Sequence, residues 1–191
     1  IEYSSLSTKA LLELICSKYA FSKSPTITFL KRGFNDTYLI QNGTDKYILR
    51  VYKQNWRSLE SIETELKFLN YLKENGISVS YPISDDQKQF IQSIEAPEGI
   101  RYTVLFSYAE GEQIRKLNTE QAELLGIQTG KMHLLSQNKK LGETAHNYDI
   151  EHQFEKTLAT LKPILADHPD KYRYLVQLKG YFTELFIDID K

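Results

Sequence analysis

Asn42-Gly43 lies between two alternating runs, "TYLIQ" and "KYILRVYK", and this leaves the chain little freedom there. Asn-Gly tolerates positive φ, so it favours a tight turn between antiparallel strands. Side chains alternate along a strand. In the second run Ile48 and Arg50 therefore share one face, while Tyr47, Leu49 and Val51 share the other. A cation set mid-strand among apolar residues is costly unless it is paired. "TITFL" alternates in the same way, with Ile27 and Phe29 on one face, so a third strand precedes the hairpin. Between it and "TYLIQ" stands "KRGFND", in which Gly33 and Phe34 sit at a loop tip.

The rest of the order follows from period and punctuation. Leu11, Leu12, Leu14 and Ile15 recur at helical spacing over residues 7–19, and Cys16 in that run is expected to be buried. "LESIETELKFLNYLKENG" predicts a helix with Ile62, Leu66, Leu69 and Leu72 on one face, stopped by Asn75-Gly76. "ISVSYPI" is extended because of Pro82. "QFIQSI" and "RYTVLFSY" predict a second hairpin across "EAPEG". From Leu117 onward the pattern is helical. Asn118 is the expected N-cap of a first helix over 118–135, with Gln121 completing a capping box. Further helices are expected over 149–166 and 170–187. Asp167 is the expected cap of the last, with Tyr174, Leu178, Tyr181 and Leu185 on its inner face. The fold class is thus α+β: about five antiparallel strands with one inserted helix, then an all-helical part. The expected division is 1–110 and 111–191, meeting near Gly111.

Composition removes several function classes. Lys and Arg number 24 against 25 Asp and Glu, a net charge of -1. That gives no bulk attraction toward nucleic acid or membrane. One cysteine allows neither an intramolecular disulfide nor a multi-cysteine zinc site. No apolar run approaches the roughly 20 residues of a membrane span, and no signal-peptide pattern opens the chain, so a cytoplasmic protein is expected. His146, His152 and His168 lack metal-ligand spacing, and His133, beside Met132, is expected to be a core histidine with one hydrogen bond. Gly126 and Gly130 share a helix face that would admit close packing.

The stretches "RGFNDTYLI", "YILRVY", "IETELKFLNYLKENGISVSYPI", "VLFSYAEGE" and "LGIQTGKMH", in that order and spacing, resemble the aminoglycoside phosphotransferase and choline kinase family, whose fold is kinase-like. They cover most of residues 31–133. The resemblance implies a nucleotide-binding amino-terminal lobe over 1–110 and the first helices of a carboxy-terminal lobe over 111–191. It also implies ATP or GTP with magnesium, and a small-molecule hydroxyl as acceptor. Gly33, Phe34 and Asn35 would form the loop over the phosphates, where glycine lets backbone N–H groups approach an anion; a plain hairpin with Phe34 folded inward is the other reading. Arg50 takes the place of the family's phosphate-binding basic residue. Glu65 falls at the position of its ion-pair partner, with Glu63 as the alternative, or with Glu60, Glu63 and Glu65 all merely solvating the helix. Ser107 and Ala109 would read the base through main-chain atoms, with Leu105 or Phe106 lining its pocket.

One departure bears on activity. The family's chemistry uses a later His-Gly-Asp loop followed by Asn, then a metal-binding Asp. His-Gly-Asp does not occur in residues 1–191. "FIDIDK" resembles the metal motif superficially, through Asp188 or Asp190, and is expected to be a helix end. The expectation is that this chain holds the nucleotide-binding part without the catalytic loop, about one domain short of the family. A homodimer or a complementary chain would then cover its helices. The alternative is a non-catalytic module that binds nucleotide or a partner.

Overall fold

Backbone pairing realises the hairpin expected at Asn42-Gly43. In the computed structural model, β2 (Asn35–Asn42) and β3 (Asp45–Tyr52) pair antiparallel from Asn35–Tyr52 to Asn42–Asp45. Gly43 opens the two-residue loop at φ 68°. The structure describes residues 3–112, 114–137, 139 and 154–189, with the side chains of 186–189 left out. His146, His152, Asp190, the Asp188 side chain and the first residues of the 149–166 helix lie outside the described residues.

The chain divides into two units, Ile1–Thr144 and Ala145–Lys191. The last strand ends at Ser107 and the next helix starts at Thr119, within the first unit. The first unit opens with α1 (Thr8–Lys18) and β1 (Thr26–Arg32). After β2 and β3 come α2 (Leu59–Glu74), β4 (Pro82–Ile83), β5 (Ile91–Ala96), β6 (Gly99–Ser107) and α3 (Thr119–Ser136). The sheet order is β1-β2-β3-β6-β4, and β5 also pairs with β6. Six strands stand where about five are expected, because the extended "ISVSYPI" also pairs, through the two residues of β4.

Local chemistry sets the helix ends. Ser58 caps α2 by accepting from the Ser61 amide at 3.1 Å. Gly76 ends it at φ 77°, and the Ile77 amide bonds back to the Leu72 carbonyl, as a left-handed C-terminal motif requires. Asn118 and Gln121 form the predicted capping box.

Strand alternation sorts the core. One sheet face presents Tyr38, Ile40, Leu49, Val51 and Leu105 to Leu11, Ile15 and Tyr19. The other presents Tyr52, Val104 and Phe106 to Ile62 and Leu66 of α2. Truncating Ile15 or Ile62, both fully buried, would cost about 2–5 kcal/mol each. Cys16 is exposed rather than buried: Leu11 and Ile15 take the inner face of α1, and residue 16 turns away from it.

In the second unit, α4 (Lys156–Ile164) and α5 (Pro169–Ile189) pack as a pair. Phe154 stacks on Phe182 with centroids 5.6 Å apart. Leu158, Leu161, Leu175 and Leu178 line the same seam. The expected inner face of α5 is therefore corrected: Leu178 faces inward, whereas Tyr174, Tyr181 and Leu185 are exposed. The helix starts at Pro169, so residue 168 takes the cap position expected of Asp167; proline suits the first helical turn, where its missing N–H has no partner to lose. On α3, His133 is exposed rather than core, and beyond the adjoining backbone of the helix itself nothing described lies within 4 Å of a Cβ added at Gly126 or Gly130.

Candidate functional site

The face of the sheet that meets α2 also carries Arg50. Thr37, Arg50 and Val104 sit side by side across β2, β3 and β6. Arg50 Nη1 donates to Glu65 Oε1 at 2.8 Å, and its guanidinium lies 4.5 Å from the centre of the Phe106 ring. Its side chain is 31% exposed and that of Glu65 23%. The cation is thus fixed by a charge-assisted bond and an aromatic face while part of it remains open to solvent. Glu60 and Glu63 are exposed. α2 turns Glu65 inward beside Leu66, and one turn after Ile62.

Glu65 has more partners than the sequence indicates. Its Oε2 accepts from the Tyr52 hydroxyl at 3.2 Å and from Arg57 Nη1 at 3.4 Å. Burial, and secondarily the Glu65 carboxylate, push the Tyr52 phenol up to about 12. Arg57 lies in the turn between β3 and α2, and no periodic signal marks it.

The loop between β1 and β2 is a tight one. The Gly33 amide donates to the Asn35 carbonyl at 3.1 Å, and a Cβ added at Gly33 would meet nothing within 4 Å. Phe34 is not folded inward: it is 69% exposed and stacks on Trp56, with centroids 4.6 Å apart and planes at 5°. Asn35 begins β2 opposite Tyr52, and its Oδ1 is buried without a hydrogen-bond partner.

At the other end of the site, the two pocket residues left open by the sequence separate by strand parity. Phe106 points to the Arg50 face, and Leu105 joins the α1 core. Main-chain atoms of Ser107 are already engaged. Its amide donates to the Tyr81 carbonyl at 2.9 Å, and its carbonyl accepts from the Ser80 hydroxyl at 2.6 Å. Ala109 follows just beyond the end of β6.

On the opposite face, beneath the same hairpin, lies a charge cluster that the sequence reading missed. Arg101 and Asp36 are both fully buried and bond at 3.2 Å. Arg101 also donates to the carbonyls of Tyr52 and Ser4, at 3.0 and 3.1 Å, and lies 3.6 Å from Glu98. Arg32 reaches Asp36 at 3.3 Å and the Ser5 hydroxyl at 2.6 Å. Residues 4 and 5 are thereby fastened to the sheet. Asp36 and Arg101, which strand parity puts on the face that also carries Tyr38, Ile40 and Leu105, were the available signal.

For magnesium the described residues offer little. No group of three or more His, Cys, Asp or Glu among them is placed to hold a metal ion, and both oxygens of Glu65 are taken. Among the described residues no helix is long and apolar enough to cross a membrane.

Comparison with known proteins agrees with this geometry. The model of the phosphotransferase enzyme family matches residues 26–179. An uncharacterized Synechocystis protein, sll1119, is 32% identical over 177 residues, which is 92% of this chain and 49% of that protein. The amicoumacin kinase of Bacillus subtilis is 26% identical over 145 residues, 73% of this chain and 43% of the kinase. The chain spans about half the length of these relatives. Among solved structures, a microcompartment-associated aminopropanol kinase superposes with a TM-score of 0.65 at 23% identity, over 78% of this chain and 47% of that one. The amicoumacin kinase hAmiN, in complex with AMP-PNP, calcium and Ami, gives 0.64 at 21% identity over 85% of this chain and 53% of that one. These two likenesses show a shared kinase-like fold. With a family model covering most of its length, and an α+β lobe of the kind those kinases share, the chain belongs to the phosphotransferase enzyme family.

Proposed function

We propose that this chain supplies the nucleotide-binding part of a kinase that transfers a phosphoryl group from ATP or GTP to a hydroxyl of a small molecule. The observation that carries the reading is Arg50. A guanidinium has five N–H donors; Glu65 takes Nη1, Phe106 supports the plane, and the exposed third of the side chain remains for phosphate oxygens. Gly33 leaves open space at the loop tip, so an anion has room to approach the backbone there, with the Gly33 amide itself bonded to the Asn35 carbonyl. Phe106 lines the base pocket. Because Ser107 spends its main-chain groups within the protein, recognition of the base falls chiefly to Ala109.

Magnesium, when bound, neutralises phosphate charge. The described residues do not provide its ligands. Without His-Gly-Asp in its 191 residues, the isolated chain binds nucleotide and does not transfer phosphate. Positioned phosphates without that loop's base, and with no metal site among the described residues, leave the transition-state charge uncompensated. The cytoplasm, where the nucleotide is abundant, is its proposed location.

Calorimetry with ATP and with adenosine tests the reading. ATP binds more tightly than adenosine, and Arg50→Ala removes a charged contact worth about 1.5–3 kcal/mol, roughly ten- to a hundred-fold in ATP affinity. Equal affinity for the two ligands in both proteins would rule out the phosphate role.

A further inference from the structure

We propose that Trp56 and Arg57, in the turn between β3 and α2, are positioning residues that couple the two arms of the phosphate site. The inference rests on the nucleotide reading above and assigns the turn a task within it. Trp56 holds the loop arm, because its ring lies flat against Phe34 at the loop tip. Arg57 holds the arginine arm, because it bonds Glu65 on Oε2 while Arg50 bonds Oε1. A carboxylate anchored on one oxygen alone can rotate about its last torsion. With Tyr52 and Arg57 on Oε2, the plane is set and Oε1 stays aimed at Arg50. Adjacent residues of one turn therefore touch the loop that would cover the phosphates and the acid that would aim the cation at them.

The turn is built to keep that geometry. The Trp56 amide bonds back to the Lys53 carbonyl at 3.2 Å, and Asn55 takes the left-handed conformation at φ 57°. The Gln54 side chain packs on Gly99 of the β5–β6 hairpin. Both partners of the aromatic stack remain exposed, Phe34 at 69% and Trp56 at 48%. The stack is thus a solvent-exposed contact between the loop tip and the turn.

Trp56 is the chain's single tryptophan, so its emission reports the stack directly. Phe34→Ala should shift that emission in the nucleotide-free protein. In calorimetry, Trp56→Ala and Arg57→Ala should each weaken ATP binding roughly two- to thirty-fold, the range for residues acting along a contact chain. Adenosine affinity should be unchanged, and Trp56→Phe should restore ATP binding. In a Glu65→Gln background, Arg57→Ala should add nothing, since it acts through Glu65; an additive loss would mean direct phosphate contact and would overturn the positioning role. Equal loss of adenosine and ATP affinity would make the effect one of folding and would overturn it too. ATP affinity that responds to Arg50→Ala but not to Trp56 or Arg57 variants sinks this inference alone. ATP affinity insensitive to Arg50 sinks the nucleotide reading with it.

Discussion

Replacing Glu65 by glutamine removes one charge while keeping the side chain's shape. A carboxamide has a single acceptor oxygen, so it cannot serve Arg50, Tyr52 and Arg57 as the carboxylate does at 2.8, 3.2 and 3.4 Å. Its NH₂ group would face a donor instead. A fully buried charged hydrogen bond is worth about 1.5–3 kcal/mol. Arg50 and Glu65 are 31% and 23% exposed, so solvent screening lowers the expected loss to about 1–2 kcal/mol. Urea unfolding followed by Trp56 emission measures it for the first unit, because the only tryptophan lies there. A cycle of Glu65→Gln, Arg50→Gln and the double variant isolates the pair, with an expected coupling of about 1 kcal/mol. Glu60→Gln, on the exposed side of α2, should change stability by less than about 0.5 kcal/mol. A coupling indistinguishable from zero, or equal effects of the Glu60 and Glu65 variants, would refute the argument that this pair organises the site.

Gly33→Ala should leave stability within about 1 kcal/mol, since a Cβ meets nothing in the free protein, yet weaken ATP binding; unchanged ATP affinity by calorimetry would detach the loop from the phosphates. Burial, then Glu65, raises the Tyr52 phenol from 10.0 to about 12, so the folded chain keeps a proton that the unfolded chain has lost. This contribution is whole below pH 10 and disappears by pH 12, a fall of about 2–3 kcal/mol for that residue. Base titration of Tyr52→Phe should show a shallower loss, and an identical profile would contradict the assigned cause. Arg101→Leu should cost about 3–5 kcal/mol by leaving Asp36 buried without its partner; a midpoint within error of the parent in urea would show that Arg32 suffices. Exposed Leu124, Leu125, Leu134 and Ile164 should make the chain self-associate or accept a complementary chain. Light scattering that finds a clean monomer with no dye-accessible apolar surface would count against that.

How far the sequence could be read depends on whether a residue's partner is near in pattern. The β2–β3 hairpin and α2 were legible because Asn42-Gly43 and Asn75-Gly76 bound clean periodic runs. Strand parity showed only that Arg50 stands among apolar residues and needs a partner; it was the family resemblance, not helix spacing, that put Glu65 rather than Glu63 at that partner's position. Arg57 escaped because its direction depends on one left-handed residue, Asn55, which no period announces. Arg101 escaped because its counter-charge lies 65 residues earlier in the chain. On α5, apolar residues occupy more than one arc, so Tyr174 and Tyr181 looked as suitable for the seam as Leu175 and Phe182. Choosing between arcs takes the partner helix, which periodicity does not contain.

The buried Arg101–Asp36 pair carries a consequence for how this lobe can vary in evolution. Neither partner can be lost first without stranding the other in the core, so single-step drift at either position passes through a strongly destabilised intermediate. Glu98 and Arg32, each bonded to one member of the pair, lower that barrier only partly. Substitutions at 36 and 101 among descendants of this chain should therefore arrive together, as a matched charge pair or as two apolar residues of similar volume. Ser4 and Ser5, tied to the same cluster, would be freed to vary only after that joint exchange.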